Sequence, residues 1–262
     1  MQSPDIWTFY DIEGWKFSFI EMIDEIHPYS DLLHKLTNPH GSNICEDDVS
    51  ILNSIISDNK GYECDFLELM GCKFREKFNY VRAFHASKPA DIQIISNKGL
   101  SAFSVNDYIL MAQSIFINDN YPSITIEKVR CAVQKTANEG PCRENKLHFF
   151  LTEIYKKSPC DNYHKFGSEY MRVVANILNV KDDYLKNSKG FPTIFSCNVP
   201  VGNISDKLLY SLLRIAICYL FNPSLENSTP LITKDVAISI DCGLSPSNIV
   251  SHHRLDSDSR HA

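Results

Sequence analysis

The first part of the chain repeats its apolar residues at helical spacing. The stretch from Trp15 to Leu36 places apolar side chains on one predicted helical face, and Pro28 is expected to break or kink this helix. The next stretch, EDDVSILNSIIS, opens with acidic residues that favour a helix start and continues with an apolar face of Val49, Leu52, Ile55 and Ile56. We therefore predict a helical N-terminal lobe over residues 1–75.

Beyond this lobe, short strand patterns are separated irregularly by helices. The predicted strands are FNYVRAFHA, KLHFFLTEIY, FPTIFSCNVPV and KDVAISIDCGL. The predicted helices are VNDYILMAQSIF, TIEKVRCAVQKT, YHKFGSEYMRVVANIL and ISDKLLYSLLRIAICYLF, with a short one between Pro89 and Gly99. The irregular alternation favours an α+β fold. Residues 76–250 form the predicted main domain, and the polar residues 251–262 are predicted to be a disordered tail.

Composition narrows the class of protein. The chain has 262 residues, of which 44% are hydrophobic and 22% charged, as in ordinary globular proteins. No apolar run approaches the ~20 residues of a membrane helix, and the N-terminus lacks the features of a signal peptide. We expect a cytoplasmic protein without a membrane partner, and an effector secreted without a cleavable signal also fits. The net charge of −6 argues against broad coating of nucleic acid.

The cysteines and the absent motifs exclude several kinds of site. The nine cysteines are scattered without a C-x-x-C pair, which indicates reduced thiols, and no metal site is predicted. The sequence contains no GxGxxG, GxxxxGK[ST], HExxH or GxSxG motif. These absences argue against a Rossmann dehydrogenase, a P-loop NTPase, a zincin and an α/β-hydrolase.

Three segments hold the remaining candidate chemistry: AFHAS followed by IISNKGL, then LHFFLT, then YHKFGSEY. Together they resemble the histidine-type branch of the ADP-ribosyltransferase superfamily, which has a His-Tyr-Glu signature. His85-Ala86-Ser87 matches the family's His-Gly-Ser element, and Gly99-Leu100 matches its Gly-Leu step. Phe149 or Phe150 occupies the aromatic position on a later strand. The resemblance covers about Tyr80 to Ile177.

The resemblance implies an ADP-ribosyltransferase-like split β-sheet core and an enzyme that consumes NAD. Such an enzyme breaks the bond between nicotinamide and ribose and transfers ADP-ribose to a macromolecular acceptor, as toxins, effectors and defence proteins do. His85 and Glu169 are the implied catalytic residues, since a histidine can hold a ribose hydroxyl and a carboxylate can stabilise the cationic ribose. The implied NAD-binding residues are Arg82, His85, Ser87, Phe149, Phe150 and Ser168. Lys88 is a further candidate cation for the pyrophosphate.

This sequence departs from the family's pattern at three places. Ala86 replaces a glycine, and its methyl group is expected to narrow access to the backbone. Phenylalanine replaces the common tyrosine, so stacking is kept and a hydroxyl is lost. The late strand lacks the family's glutamate; Asp235 and Asp241 are the nearest acids, and Glu169 is the preferred carboxylate.

Simpler interpretations stay open for every one of these residues. A histidine at a strand end is often structural, phenylalanines usually belong to a core, and an acid at a helix start is favoured by the helix dipole. The alternative functions are an NAD glycohydrolase with water as acceptor, a catalytically inactive binding module, and a helical interaction protein.

Overall fold

The structure is a computed structural model that describes residues 5–32, 46–139, 145–152, 169–181, 184–185, 190–221 and 237–255. The α-helices with described bounds are α1 (Ile12–Ile26), α2 (Glu46–Lys60), α3 (Phe66–Lys77), α4 (Ile92–Lys98), α5 (Val105–Phe116), α6 (Ile126–Glu139), α7 (Glu169–Ile177) and α8 (Asp206–Phe221). Short 3-10 turns follow at Val201–Asn203 and Pro246–Asn248.

The strands are β1 (Ile6–Trp7), β2 (Tyr80–Ser87), β3 (Leu147–Phe150), β4 (Thr193–Pro200), β5 (Ala237–Ile240) and β6 (Ile249–Arg254). They form one sheet with the order β5-β3-β2-β4-β6, and β1 pairs with β2 in parallel. The pairs β2–β3 and β4–β6 are antiparallel. The predicted α+β class is therefore confirmed.

Most predicted elements appear within one or two turns of their expected bounds. The helix break before Pro28 is confirmed, because α1 ends at Ile26 and the backbone of His27 is extended. The short helix α4 ends at Gly99 as expected, but it begins after Pro89. Asp91 is its N-cap and accepts a hydrogen bond from the backbone N–H of Gln93 at 2.8 Å. Residues 33–36 and 153–168, which belong to other predicted elements, lie outside the described residues.

The prediction of a disordered tail is wrong for residues 251–254. Residues Ile249–Arg254 form β6, which pairs with β4 through Ile194↔His253 and Phe195↔His252. The side chains from Val250 to Arg254 are exposed, so this strand has no apolar alternation by which a sequence could reveal it. It is held by backbone pairing instead, as edge strands are.

The chain divides into two units whose bounds differ from the predicted domains. One unit combines residues 1–83 with 199–238, and the other combines residues 84–198 with 239–262. In the first unit, α3 packs against α1, α2 and α8. Its core contains an aromatic cluster in which the Trp7 ring contacts Phe9, Trp15, Phe19 and Phe74.

The second unit has a separate helical core made by α5, α6 and α7. Tyr108 of α5 stacks on Tyr170 of α7, with ring centroids 4.0 Å apart, and Phe116 is fully buried in the same cluster. The hydroxyl of Tyr170 donates to the carbonyl oxygen of Val133 at 2.8 Å, which satisfies a polar atom in an otherwise apolar interior. This unit carries nearly all the candidate site residues.

Candidate functional site

His85 lies near the end of β2, in a strand that is buried at its start and half-exposed at its end. Val81 and Ala83 are fully buried, whereas His85, Ala86 and Ser87 are half-buried. The β-branched and aromatic residues at the start of the segment favour the strand and its burial. The histidine therefore stands where a core strand reaches the surface.

The imidazole of His85 is held by a backbone carbonyl of the neighbouring strand. Its Nδ1 lies 3.0 Å from the carbonyl oxygen of His148 on β3. A carbonyl oxygen can only accept a hydrogen bond, so Nδ1 must carry the proton and donate. In the neutral ring Nε2 is then the acceptor nitrogen.

Phe149 packs beside this imidazole, and Phe150 lies on the other face of the sheet. The ring centroids of His85 and Phe149 are 5.7 Å apart and their planes are tilted by 59°. Phe84 pairs with Phe150 across β2 and β3, so those two side chains share the face opposite His85. Phe149 is 0% exposed, and Phe150 is half-buried. Phe149 is therefore the phenylalanine that shares a face with His85.

The candidate cations follow β2 and its continuation. Arg82 is half-buried on the strand, and Ser87 is its last residue. The ammonium group of Lys88 donates to the carbonyl oxygen of Leu185 at 3.0 Å. Burial lowers the pKa of the Lys88 amine, because a less hydrated site disfavours the charged form. Lys88 thus has a structural contact in addition to any role toward a ligand.

Gly99 and Leu100 form a tight backbone junction. Gly99 has φ = 81°, and a Cβ atom placed there would lie 2.0 Å from the carbonyl oxygen of Leu244. Leu100 exchanges two backbone hydrogen bonds with Leu244, at 2.9 and 2.8 Å. The glycine is therefore required by backbone conformation and close approach, whatever its relation to a ligand.

Glu169 is exposed at the first position of α7, where the helix dipole favours a carboxylate. The opposite side of this helix is anchored in the helical core by Tyr170, Met171 and Val174. Ser168 lies outside the described residues. The convergence of Glu169 and Ser168 on His85 stays a prediction.

The two alternative carboxylates have different positions. Asp235 lies outside the described residues. Asp241 follows β5 directly, is exposed, and has its Oδ1 3.9 Å from Nζ of Lys146. This distance is that of a loose surface ion pair, which leaves the Asp241 carboxylate largely hydrated.

Sequence reasoning missed His148 as part of the site. Its contribution is a backbone carbonyl, which every residue type has, so the sequence contains no signal for it. The contact follows only from the pairing of β2 with β3. Among the described residues, no group of three or more His, Cys, Asp or Glu side chains is arranged to hold a metal ion.

None of the helices with described bounds combines the length and apolar character that a membrane crossing requires. No family model, no curated protein and no solved structure matches this chain.

Proposed function

We propose that the chain is an NAD-dependent ADP-ribosyltransferase that modifies a macromolecular target in the cytoplasm, built on an ADP-ribosyltransferase-like core. One observation carries the proposal: a half-buried histidine at the end of a core strand has its Nδ1 committed to the backbone of the next strand. The bond restricts the orientation of this imidazole at the end of the strand. The order of β2, α4 and the Gly99-Leu100 junction adds support.

The reaction breaks the bond between the nicotinamide nitrogen and the ribose anomeric carbon. Nicotinamide leaves with the bonding electron pair, and positive charge develops on the ribose, as in glycoside hydrolysis. A nucleophilic atom of the acceptor then bonds to the anomeric carbon and loses its proton. A carboxylate near the ribose stabilises the charge and orients the acceptor.

In this scheme His85 holds a ribose hydroxyl, and Glu169 supplies the carboxylate. Ser87 and Ser168 contact NAD; Arg82 lies on the face of β2 away from His85 by strand alternation and has no part in this scheme. NAD is the substrate whose ADP-ribose group is transferred. The acceptor is a protein or nucleic acid. In this scheme other surface residues of the chain select it.

The first experiment measures nicotinamide release from NAD labelled in its adenine or its nicotinamide part. The wild-type chain should release nicotinamide and, with a cell extract present, label macromolecules. Glu169→Gln should lose this release. A wild-type chain that neither releases nicotinamide nor labels any macromolecule contradicts the proposal, and release without macromolecular label indicates an NAD glycohydrolase.

The burial of Phe149 favours a second candidate, a nucleotide-binding module without catalytic activity. A ring with 0% exposure offers no face on which nicotinamide can stack. Together with the missing late-strand glutamate, this points to a site that binds without cleaving. Saturable binding of a non-hydrolysable NAD analogue by a chain that releases no nicotinamide supports this candidate over the enzyme.

A further inference from the structure

We infer that β6 supplies the cation that binds the pyrophosphate of NAD, namely Arg254, with His252 as a second hydrogen-bond donor. That the ligand is NAD rests on the proposed function. The proposed site needs such a cation, because Arg82 lies on the other face of β2 and the ammonium group of Lys88 donates to the carbonyl oxygen of Leu185.

The first step is the register between β2 and β4, which are neighbours in the sheet. Two backbone N–H···O=C bonds join the segments at either end of this pair, from Phe191 to Pro89 at 3.1 Å and from Val201 to Asn79 at 2.9 Å. Both bonds fit the same antiparallel register, in which Phe195 stands directly opposite His85. Residues that stand opposite each other project to the same face of a sheet, so these two side chains share a face.

The second step extends this face to β6. In the antiparallel pair of β4 and β6, Phe195 stands opposite His252, and Thr193 stands opposite Arg254. The rings of Phe195 and His252 are neighbours, with centroids 6.1 Å apart, as a shared face requires. His85, His252 and Arg254 therefore project from one face of the sheet, which we call the His85 face.

The third step concerns distance. His85 and His252 are two strands apart, which separates their backbones by about 10 Å. Arg254 lies two residues farther along β6, level with Ser87 at the end of β2. In NAD a single CH2 group joins the nicotinamide ribose to the pyrophosphate. A ribose held at His85 therefore places its phosphates within the range of a long arginine side chain that extends across the sheet.

The fourth step concerns the guanidinium group of Arg254. It lies over the ring of Phe191, 4.6 Å from the centroid, and this ring is 53% exposed. A contact with the face of a ring uses none of the five N–H donors, which lie in the plane of the guanidinium and match two phosphate oxygens. Arg75, in contrast, donates to two backbone carbonyls and a carboxylate. Arg254 is thus held by a contact that leaves its donors to an anion.

No charge within the sheet opposes a phosphate at this position. The strands with described bounds contain no Asp or Glu. Among the ion pairs of the described residues, none joins a carboxylate to Arg254. The positive charge of this exposed arginine is therefore not cancelled locally, which favours an anionic ligand.

The experiment measures binding to the full chain by calorimetry, with ADP as a ligand that carries a pyrophosphate and adenosine as one that does not. Arg254→Gln should weaken ADP binding by roughly tenfold to a hundredfold, since it removes a charged hydrogen-bonding group, and should leave adenosine binding unchanged. Arg130→Gln is the matched control, because it removes the same charge from an exposed position on α6 of the same unit. It should change neither affinity. Wild-type affinity for ADP in Arg254→Gln overturns the inference.

The two adjacent histidines of β6 test which face binds the ligand. Both are exposed, and strand alternation places His253 on the face opposite to that of His252. His252→Ala should weaken ADP binding by roughly threefold to tenfold, and His253→Ala should leave it unchanged. Equal effects in the two variants overturn the assignment to the His85 face.

Phe191 is a positioning residue for Arg254 in this arrangement. Phe191→Leu removes the ring under the guanidinium and should weaken ADP binding by roughly twofold to fivefold. Adenosine binding should stay the same, because the phenylalanine acts only through the arginine. In a chain that already carries Arg254→Gln, Phe191→Leu should have no further effect, and a further loss of ADP affinity contradicts this role.

Binding and cleavage are measured separately, so failure of this inference differs from failure of the proposed function. A wild-type chain that cleaves NAD but binds adenosine as tightly as ADP overturns only the inference. A wild-type chain that binds ADP through Arg254 and releases no nicotinamide overturns the proposed transferase and leaves the anion-binding site in place.

Discussion

His85 and Glu169 are the two proposed catalytic side chains, and they are built in opposite ways. His85 lies in a core strand, where Nδ1 is bonded to a carbonyl and the ring lies beside a fully buried phenylalanine. Glu169 is exposed at the start of a helix whose packing depends on other residues. The orientation of the histidine therefore follows from its contacts with β3, whereas a role of the glutamate is visible only in the activity.

The largest effect on stability is expected at Phe149, which packs beside His85. Phe149→Ala removes a fully buried ring and should lower the free energy of unfolding by about 3–5 kcal/mol. Phe150→Ala is the matched control, since Phe150 is the next residue of β3 and is half-buried. It should cost clearly less. Urea denaturation of both variants measures the difference, and equal costs would mean that the two faces of β3 are packed alike.

At Glu169 the expected effect is on activity and not on stability. Glu169→Gln should reduce nicotinamide release by about a hundredfold to a thousandfold, as for a lost electrostatic contact to a transition state. Its free energy of unfolding should change by less than about 1 kcal/mol, because Glu169 is exposed and the interaction of a surface carboxylate with a helix dipole is small.

Asp241→Asn is the control for Glu169, because Asp241 is the other exposed candidate carboxylate. It should keep the activity of the wild type. Full activity in Glu169→Gln together with loss in Asp241→Asn would move the catalytic carboxylate to the end of β5.

A substitution at Gly99 tests whether this family-like residue is structural. Gly99→Ala forces a Cβ atom toward the Leu244 carbonyl at a backbone φ of 81° and should cost about 1–3 kcal/mol. Gly202→Ala is the control, since nothing lies within 4 Å of its added Cβ. Thermal unfolding of the two variants should separate them by several degrees. Equal melting temperatures would show that the junction with Leu244 adapts without cost.

The smallest effect is expected at Ala86. Successive side chains of a strand point to opposite faces, so the methyl group of Ala86 lies on the face away from His85. Ala86→Gly should therefore leave nicotinamide release unchanged, and the greater freedom of glycine should cost about 0.5–1 kcal/mol of stability. A large gain in activity would show that the methyl group narrows the site, as the resemblance implies.

The sequence was sufficient for elements whose apolar residues follow one period. The helix α5 begins and ends where its pattern predicts, at Val105 and Phe116, because Ser104 caps it and its apolar face is buried. The strands β2 and β4 were also predicted, since aromatic and β-branched residues mark them. In each case the local secondary-structure preference and the pattern of burial agree, and this agreement allows a short segment to be predicted from its sequence.

Other features depend on contacts that are distant in sequence. The inclusion of residues 199–238 with 1–83 in one unit follows from the packing of α8 on α3, which no local pattern encodes. The bond from His85 to His148 joins residues 63 positions apart through a backbone atom, so residue identity carries no trace of it. Candidate side chains were therefore predictable, and the atoms that orient them were not.

The strand β6 has a practical consequence for anyone who shortens this protein. Because its sequence is polar and exposed, β6 could be mistaken for a dispensable tail and removed. A chain that ends at residue 248 would lack the strand that pairs with Thr193 to Cys197 of β4. The N–H and C=O groups of β4 that β6 now satisfies would face solvent along an apolar strand. Bare strand edges of this kind pair with one another. The shortened protein should precipitate or oligomerise. A purification tag should therefore be attached after Leu255, so that the residues of β6 are kept.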